Sequence, residues 1–219
     1  MLYQIFDTYA TEYDAWYDAG VGEAIFATEV DCLKPLLKKP NGPCLEVGVG
    51  SGRFAQALGI AYGVDPAPAP LQMAKARGIQ AIEALGEELP FPDRMFGCVL
   101  IALTLCFVND PRRVLQEVWR VLQPKGGFVL GLILRNGPWG EFYADKGNKR
   151  HPMYGKARFF SKDEVDSLLQ LTGFKVLDYC STLFQPPGQY AYRVESSVSG
   201  YQQSAGFVAI GIQKQEDSL

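Results

Sequence analysis

The sequence contains very little histidine, and its cysteines are few and scattered. Among 219 residues there is one histidine, His151, and there are five cysteines without a C-x-x-C pair. Zinc sites are built from clusters of these residue types, so no metal centre is expected. A serine hydrolase is not expected either, because no G-x-S-x-G segment is present. Most of the cysteines stand in apolar runs, and all are expected to be buried, reduced thiols (Cys32, Cys44, Cys98, Cys106 and Cys180).

Strong charge bias and long apolar stretches are also missing. The net charge is −3 and the densest basic stretch, Lys146 to Arg150, is short, so we expect no nucleic-acid partner. The longest apolar run, from Cys98 to Val108, covers 11 residues, whereas a membrane helix needs about 20. Met1 opens an acidic, Tyr-rich segment unlike a signal peptide. We therefore expect a cytoplasmic protein without membrane contact, either a monomer or a homodimer.

Three glycines at alternate positions follow an apolar run that contains an acid. The run ends in Cys44-Leu45-Glu46-Val47, the glycines are Gly48, Gly50 and Gly52, and a helical pattern begins at Arg53. This order predicts a strand, a tight loop and a helix N-terminus. Glycine tolerates a positive φ and leaves room for a ligand against the backbone, and the helix N–H groups can receive polar groups. The segment therefore indicates a nucleotide-type cofactor site.

The glycine spacing separates two classes of cofactor. A dinucleotide fingerprint has its third glycine three residues after the second, and that position here is Arg53. The Glu46 carboxylate would repel a pyrophosphate and attract a ligand that carries an ammonium group and a sulfonium. The pattern favours S-adenosylmethionine over NAD, although a glycine-rich turn without a ligand remains an alternative at this point.

A second short apolar run, Tyr62-Gly63-Val64-Asp65, also ends in an acid. Asp65 follows Gly48 by 17 residues, close to the spacing of about 20 at which a strand-end carboxylate meets ribose hydroxyls. Asp65 is therefore a candidate ribose ligand. A turn or helix-cap role before Pro66 is the alternative, and the two roles are compatible.

The chain alternates helical and strand patterns, which predicts one domain with a parallel sheet covered by helices. Its expected parts are an N-terminal helical cap (1–40), a cofactor-binding core (41–134), and a substrate-side region with the last strands (135–219). Strands are predicted at 43–48, 60–64, 79–83, 96–103, 127–134, 174–179 and 206–212. Helices are predicted at 1–18, 22–38, 52–58, 68–77 and 111–122, the last one closed by a turn at 124–127, and another opens at Ser161. Residues 135–160 are expected to be partly helical, and 184–204 to form a surface loop.

The order of these motifs resembles the class I S-adenosylmethionine-dependent methyltransferases, in particular the type 11 group related to ubiquinone and menaquinone biosynthesis. The matching segments are Leu45 to Ala55, Tyr62 to Asp65, Glu88 to Phe91, Phe96 to Phe107 and Val108 to Gly127. The resemblance implies a Rossmann-like α/β fold with a seven-stranded sheet, order 3-2-1-4-5-7-6, strand seven antiparallel and helices on both faces. It also implies S-adenosyl-L-methionine as methyl donor and S-adenosyl-L-homocysteine as product.

Carried over by position, the resemblance places Glu46 and the glycine backbone at the methionine end of the cofactor and Asp65 at the ribose. Relatives often have an acid for the adenine amino group where this chain has Leu85, so Glu87 or the backbone would make that contact. The full set of expected cofactor residues is Glu46, Gly48, Val49, Gly50, Gly52, Asp65, Pro66, Gly86, Glu87 and Leu103.

The acceptor side is less specific. Ala102-Leu103-Thr104-Leu105 stands where enzymes acting on adenine nitrogens or glutamine amides carry Asn or Asp, two prolines and an aromatic residue, so a small organic acceptor with an N, S, O or C nucleophile is expected. Candidate catalytic residues are Tyr13, Thr104, Tyr143 and His151, with Tyr9, Trp16 and Cys106 near the same mouth. Packing or solvation is the alternative for each. A cofactor-binding regulator or partner subunit is the alternative function, and a nicotinamide oxidoreductase a more distant one.

Overall fold

Eight strands form one sheet in the computed structural model, which describes residues 3–37 and 42–215. Their order is β3-β2-β1-β4-β5-β8-β6-β7, and β8 runs antiparallel to both of its neighbours. The strands are β1 Cys44–Val47, β2 Tyr62–Asp65, β3 Gln80–Glu83, β4 Phe96–Ala102, β5 Leu122–Leu132, β6 Phe174–Thr182, β7 Val198–Ser199 and β8 Phe207–Lys214. The predicted order is confirmed, with β8 as the expected seventh strand. The two-residue β7 is an addition at the edge, inside the segment predicted to be a loop.

The helices begin where the sequence carries start signals. Asp110 caps α6 by accepting a hydrogen bond from the Arg113 N–H at 3.0 Å. Ser161 and Glu164 form the predicted capping box at the start of α8. The helices are α1 Gln4–Thr8, α2 Ala10–Trp16, α3 Gly20–Leu33, α4 Arg53–Leu58, α5 Pro68–Ala76, α6 Pro111–Val121, α7 Pro138–Asn148 and α8 Lys162–Leu171, with short 3-10 turns at Leu105–Phe107 and Tyr154–Lys156. Within the described ranges, no helix is long and apolar enough to cross a membrane.

Apolar side chains cover both faces of the sheet, which confirms the two helical layers. On one face Val118 of α6 and Leu169 of α8 are buried against the strands. On the other face Leu33 of α3, Phe54 of α4 and Leu71 of α5 are buried in a second core. Removing each such side chain from water stabilises the fold by roughly 2 kcal/mol. The parallel strands are thereby held with their carboxyl ends at one edge, where loops build the site.

The prediction of one helix over residues 1–18 is wrong. Two helices, α1 and α2, meet at Tyr9, whose backbone (φ −107°, ψ 19°) is not helical. The two pieces are anchored separately: Asp7 of α1 accepts from the Ala69 N–H at 2.6 Å, and Asp14 of α2 is bound by Arg53 at 2.7 Å. These tertiary bonds interrupt the helix at Tyr9, although residues 1–18 contain neither glycine nor proline.

Two predicted boundaries also differ. α3 begins at Gly20 and ends at Leu33, followed by a turn, while the predicted end at Lys38 lies outside the described residues. The predicted turn at 124–127 lies inside the range of β5, which starts directly after α6. The strand is nevertheless irregular at this place. Lys125 has a φ of 60°, and the register between β5 and β4 shifts between Phe96 and Cys98.

The expectation that all five cysteines are reduced thiols is wrong for two of them. Cys44 of β1 and Cys98 of β4 face each other on neighbouring strands, with Cα atoms 4.6 Å apart, and form a disulfide. They are 54 residues apart in sequence, so only the strand pairing brings them together. Cys32, Cys106 and Cys180 are free, as expected, but Cys106 is half-buried and not buried.

Candidate functional site

The glycine loop joins β1 to α4, and its glycines do different work. Gly48, Gly50 and Gly52 all have a positive φ, of 76°, 50° and 85°. A Cβ on Gly48 would collide with the Thr104 side chain, and one on Gly52 would lie 2.9 Å from the Ala74 Cα. A Cβ on Gly50 would meet open space. Gly48 and Gly52 therefore permit close packing, and Gly50 leaves the backbone open toward a cavity.

That cavity, called here the donor cavity, lies over the loop at the carboxyl ends of β1, β2 and β4. Every expected cofactor residue except Gly52, which packs on α5, contributes to its wall. The wall consists of Tyr3, Phe6, Ala10, Tyr13, Tyr17, Glu46, Val47, Gly48, Val49, Gly50, Ser51, Arg53, Phe54, Asp65, Pro66, Pro70, Ala84, Leu85, Gly86, Glu87, Ala102, Leu103, Thr104, Phe107, Val108 and Asn109. The position agrees with the rule that open α/β sheets bind ligands where the strand order reverses.

Glu46 places a buried carboxyl group in this wall. Its side chain is 1% exposed, and its Oε2 has no hydrogen-bond partner within the described residues. Burial raises the pKa of Glu46 well above the ordinary value. A hydrogen bond from the Ala55 backbone opposes this shift, and the nearby charge of Asp65 adds to it. A buried polar atom without a partner is costly. A donor or cation entering the cavity would satisfy it, which fits the ammonium and sulfonium groups of the expected cofactor.

Asp65 has the turn role considered for it and also lies in the wall of the donor cavity. Its Oδ2 accepts from the Gly50 N–H and its Oδ1 from the Ala67 N–H, each at 2.9 Å. The carboxylate thus fixes the glycine loop to the turn after β2 and also lines the donor cavity. A carboxylate oxygen has two lone pairs, so each oxygen retains one for a ligand hydroxyl.

Three other residues of the wall, Glu87, Thr104 and Leu103, also have a role in holding the local backbone. Glu87 Oε1 accepts from the backbone N–H groups of Asn109 (2.9 Å) and Asp110 (3.2 Å), which ties the wall to the start of α6. The Thr104 hydroxyl donates to backbone carbonyls, and one of them belongs to Gly48 at 3.3 Å. Leu103, directly after β4, has a φ of 55°, a conformation of about 1–2 kcal/mol strain for a residue with a side chain.

An acidic clamp on α2, missed from the sequence, holds the N-terminal helices over the donor cavity. Arg53 binds Asp14 through two hydrogen bonds of 2.7 and 2.9 Å and also pairs with Asp18 at 2.7 Å. Arg77 reaches the second Asp14 oxygen at 2.8 Å. Burial alone would raise the pKa of Asp14, but the bonds from Arg53 and Arg77 hold it well below its usual range. No motif marks this contact, because its partners are 39 and 63 residues apart.

A second cavity of about 410 Å³, called here the acceptor cavity, adjoins the first. The two share Phe6, Tyr13, Tyr17, Leu103 and Phe107 as walls. The candidates Tyr143 and His151, together with Tyr9, Trp16 and Cys106, line the acceptor cavity, Thr104 lines the donor cavity, and Tyr13 lines both. The rest of the acceptor wall is formed by Glu12, Ile25, Glu29, Leu132, Ile133, Trp139, Lys146, Pro152, Met153, Tyr154, Phe159 and Phe160.

The candidate side chains are neutral near pH 7. The Tyr13 and Tyr17 hydroxyls lie 2.9 Å apart, and burial raises the pKa of both as well as that of Tyr143. Burial raises the pKa of the Cys106 thiol to about 12. Burial and the neighbouring Lys146 lower the pKa of His151. These groups therefore present hydrogen-bonding atoms rather than anions, and none of the tyrosines is a phenolate base at neutral pH.

Glu29 is the second functional candidate that sequence reasoning missed. It lies on α3 in the acceptor wall and is 3% exposed, and burial raises its pKa to about 8. A signal was present, because Ile25, Glu29 and Leu33 occupy one helix face at four-residue spacing and both flanking residues are apolar. Across the described ranges, no group of His, Cys, Asp or Glu is arranged to hold a metal ion.

Comparison with known proteins identifies similar chains. A family model described as "Methyltransferase domain" (Methyltransf_11) matches residues 45–130. An uncharacterized protein of Methanocaldococcus jannaschii is 39% identical over 210 residues, which cover 96% of this chain and 98% of that protein. A Vibrio cholerae ubiquinone/menaquinone biosynthesis C-methyltransferase is 28% identical over 145 residues, 58% of this chain and 55% of its own length. The crystal structure of a Thermotoga maritima SAM-dependent methyltransferase, described as a possible histamine N-methyltransferase, is 33% identical with a TM-score of 0.90, covering 98% of this chain and all of that one.

Proposed function

Because the chain belongs to the type 11 family of S-adenosylmethionine-dependent methyltransferases, we propose that it transfers the methyl group to a small organic acceptor bound in the acceptor cavity. One observation carries the proposal: the donor cavity, where Oε2 of Glu46 has no hydrogen-bond partner among the described residues, shares a wall with a second, aromatic cavity of about 410 Å³. Such a volume suits a small organic ligand.

In our proposal the residues of the donor cavity make the contacts to the cofactor. S-adenosylmethionine, when bound, provides an already activated methyl group on a sulfonium. In our proposal the Glu46 carboxyl binds the amino group of its methionine end, and Asp65 binds the ribose hydroxyls. The second oxygen of Glu87 is the candidate for the adenine amino group, since its Oε1 is engaged by Asn109 and Asp110.

The remaining residues act on position and on water. α1 and α2 cover the donor cavity, held by the Asp14 clamp, and the aromatic walls exclude water from the shared boundary. Methyl transfer from a sulfonium is an in-line displacement, so holding the nucleophile about 3 Å from the methyl carbon provides much of the rate. The nucleophile is an N, S, O or C atom. The similar Thermotoga protein is described as a possible N-methyltransferase, and we include nitrogen among the candidates here.

Titration calorimetry with S-adenosylhomocysteine tests the donor site. We expect the product to bind and NADH not to bind. Asp65→Ala should weaken product binding about tenfold or more, since it removes a charge-assisted contact of roughly 1.5–3 kcal/mol. Asp163→Ala, which removes an exposed acid of α8, is the matched control and should bind as the native protein does.

Three outcomes would count against the proposal. NADH binding without homocysteine-product binding would favour an oxidoreductase. Unchanged affinity in a folded Asp65→Ala protein would remove Asp65 from the site. Product binding without methylation of any acceptor in a broad panel of amines, thiols and phenols would favour a binding-only protein.

A further inference from the structure

The acceptor cavity contains a carboxyl group that the fold leaves without a partner. Glu29 is 3% exposed and lines this cavity. Within residues 3–37 and 42–215, no side chain or backbone group forms a hydrogen bond or an ion pair with its carboxyl group. A buried carboxylate without a partner destabilises a protein by several kcal/mol, so its position is unfavourable unless a ligand satisfies it.

The surroundings of Glu29 are aromatic. Rings of Tyr13, Trp16, Tyr17, Trp139, Tyr143 and Tyr154 line the same cavity. Several contact one another: the Tyr143 and Tyr154 centroids lie 4.2 Å apart, and those of Trp139 and Tyr143 lie 5.9 Å apart. Ring faces of Trp and Tyr attract cations within about 6 Å. A carboxyl group that can lose its proton, in a cavity with aromatic walls, is suited to a ligand cation.

The other ionisable groups of the cavity do not neutralise Glu29. Lys146 lies over the Phe142 ring at 4.4 Å and over the Tyr143 ring at 5.8 Å, and it forms no ion pair with Glu29. His151 carries a lowered pKa, and its Nδ1 accepts from the Tyr154 N–H at 3.4 Å. Glu12 adds a further acid at the exposed rim. Among the described residues, no cationic side chain of the acceptor cavity therefore pairs with Glu29.

We propose that Glu29 binds the nitrogen of an amine acceptor and that the methyl group is transferred to this nitrogen. The inference rests on the proposed function and narrows its acceptor to a class. A neutral alcohol or phenol would gain one hydrogen bond from Glu29, whereas an ammonium group would also gain the ion pair and the ring contacts. The apolar remainder of the wall would hold the carbon skeleton of the amine.

The chemistry of such a transfer balances. On binding, the ammonium displaces the Glu29 proton to solvent and faces a carboxylate. One ammonium proton then passes to that carboxylate, because only the neutral amine has a free electron pair. That pair forms the N–C bond while the methyl C–S bond breaks and leaves its electrons on sulfur. The product leaves as a methylated ammonium ion, and Glu29 is left in the protonated form in which it started, so one proton is released per methyl transfer. Glu29 thus contacts the reacting nitrogen and is a catalytic residue in this proposal.

The test measures acceptor binding, not turnover. Protein loaded with S-adenosylhomocysteine is titrated with 2-phenylethylamine and with its matched alcohol, 2-phenylethanol, in two buffers of different ionisation enthalpy. We expect the amine to bind about tenfold more tightly. We also expect close to one proton to be released per amine at pH 7, because burial raises the pKa of Glu29 to about 8 and the amine arrives protonated.

The variants separate Glu29 from the rest of the cavity. Glu29→Gln should abolish both the amine preference and the proton release while product binding is unchanged. Glu23→Gln, which changes an exposed acid of α3 outside both cavity walls, should change neither. Equal binding of amine and alcohol, no binding of a panel of primary amines of this size at millimolar concentration, or an unaffected Glu29→Gln protein would overturn the inference. Failure of homocysteine-product binding would instead contradict the proposed function.

Discussion

At the scale of single residues, two buried carboxyl groups stand out. Glu46 lies in the donor cavity and Glu29 in the acceptor cavity, each at most 3% exposed. Burial raises the pKa of both groups. Buried ionisable groups that line a cavity lower the stability of the ligand-free protein. Such groups are typical of binding sites, where residues needed for function are often unfavourable for folding. Their positions give the strongest link between the fold and its proposed chemistry.

The raised pKa of Glu29 predicts a pH dependence of stability. Between the ordinary value of 4.5 and about 8 the folded protein retains a proton that the unfolded chain has lost. The free energy of unfolding should therefore fall as pH rises through this window, by up to about 3 kcal/mol at pH 7 from Glu29. Glu29→Gln should flatten part of this fall in urea unfolding measured from pH 5 to 8. An identical slope in the variant and the native protein would contradict the assignment.

Two of the three glycines in the donor loop predict different costs of substitution. Gly48→Ala adds a Cβ that collides with Thr104 at a φ of 76°, whereas Gly50→Ala adds one in open space at 50°. Without ligand, Gly50→Ala should lower the melting temperature by about 2–4 °C, corresponding to roughly 1 kcal/mol. Gly48→Ala should lower it at least twice as far. Equal shifts in melting temperature would show that the clash with Thr104 does not determine the cost of substituting Gly48.

Much of the donor site could be predicted at this scale, and little of the acceptor site. Glu46, Gly50 and Asp65 follow one another in a motif with fixed spacing. Glu29 and Tyr154 have no motif, because they meet only after α3 and the segment after α7 pack together. The four-residue spacing of Ile25, Glu29 and Leu33 was the only sign that Glu29 is buried. It indicates that Glu29 faces the protein interior, but it does not indicate a ligand.

At the scale of elements, α1 and α2 form the cover of the donor cavity. Sequence patterns predicted a helical aromatic segment there but not its break at Tyr9. The break depends on partners far along the chain, Ala69 for Asp7 and Arg53 for Asp14. Seven of the eight β-strands and the helices α4, α5 and α6 were predicted, most of them to within a few residues, because hydrophobic periodicity and start signals are local. The exceptions are the start of β5 and the strand β7, which was not predicted.

The Asp14 clamp predicts how firmly this cover is held. Asp14→Asn removes the charge that binds Arg53 and Arg77, so α2 should loosen. We expect faster amide hydrogen exchange in α1 and α2 and product binding weakened about fivefold, roughly 1 kcal/mol. Asp18→Asn is the matched control, since the 63% exposed Asp18 side chain pairs with Arg53 alone, and its effect should be small. Equal effects of the two variants would remove the clamp from the account.

At the scale of the whole molecule, the sheet unites the parts that the sequence separates. β8, near the end of the chain, lies between β5 and β6, and apolar cores on both faces share its side chains. The strand order could be predicted through the family resemblance. The disulfide between Cys44 and Cys98 could not be predicted, because local sequence patterns do not determine which residues of two distant strands face each other.

This arrangement predicts one cooperative unit, as proposed from the sequence for residues 1–219. Calorimetric unfolding should give a single transition whose van't Hoff and calorimetric enthalpies agree. Removing β8 by ending the chain before Phe207 should prevent folding, because it separates β6 from the sheet. Two resolved transitions, or a folded truncated chain, would show that the C-terminal region is independent.

The most direct measurement is transfer of a labelled methyl group to an acceptor of known class. The protein is incubated with S-adenosylmethionine carrying a trideuterated methyl group and with matched amines, alcohols, phenols and thiols, and the products are identified by mass spectrometry with fragmentation. The account predicts a trideuteromethyl group on the nitrogen of an amine, lost in Glu29→Gln and retained in Glu23→Gln. Label on oxygen, sulfur or carbon alone, or no labelled product from a protein that binds S-adenosylhomocysteine, would contradict it.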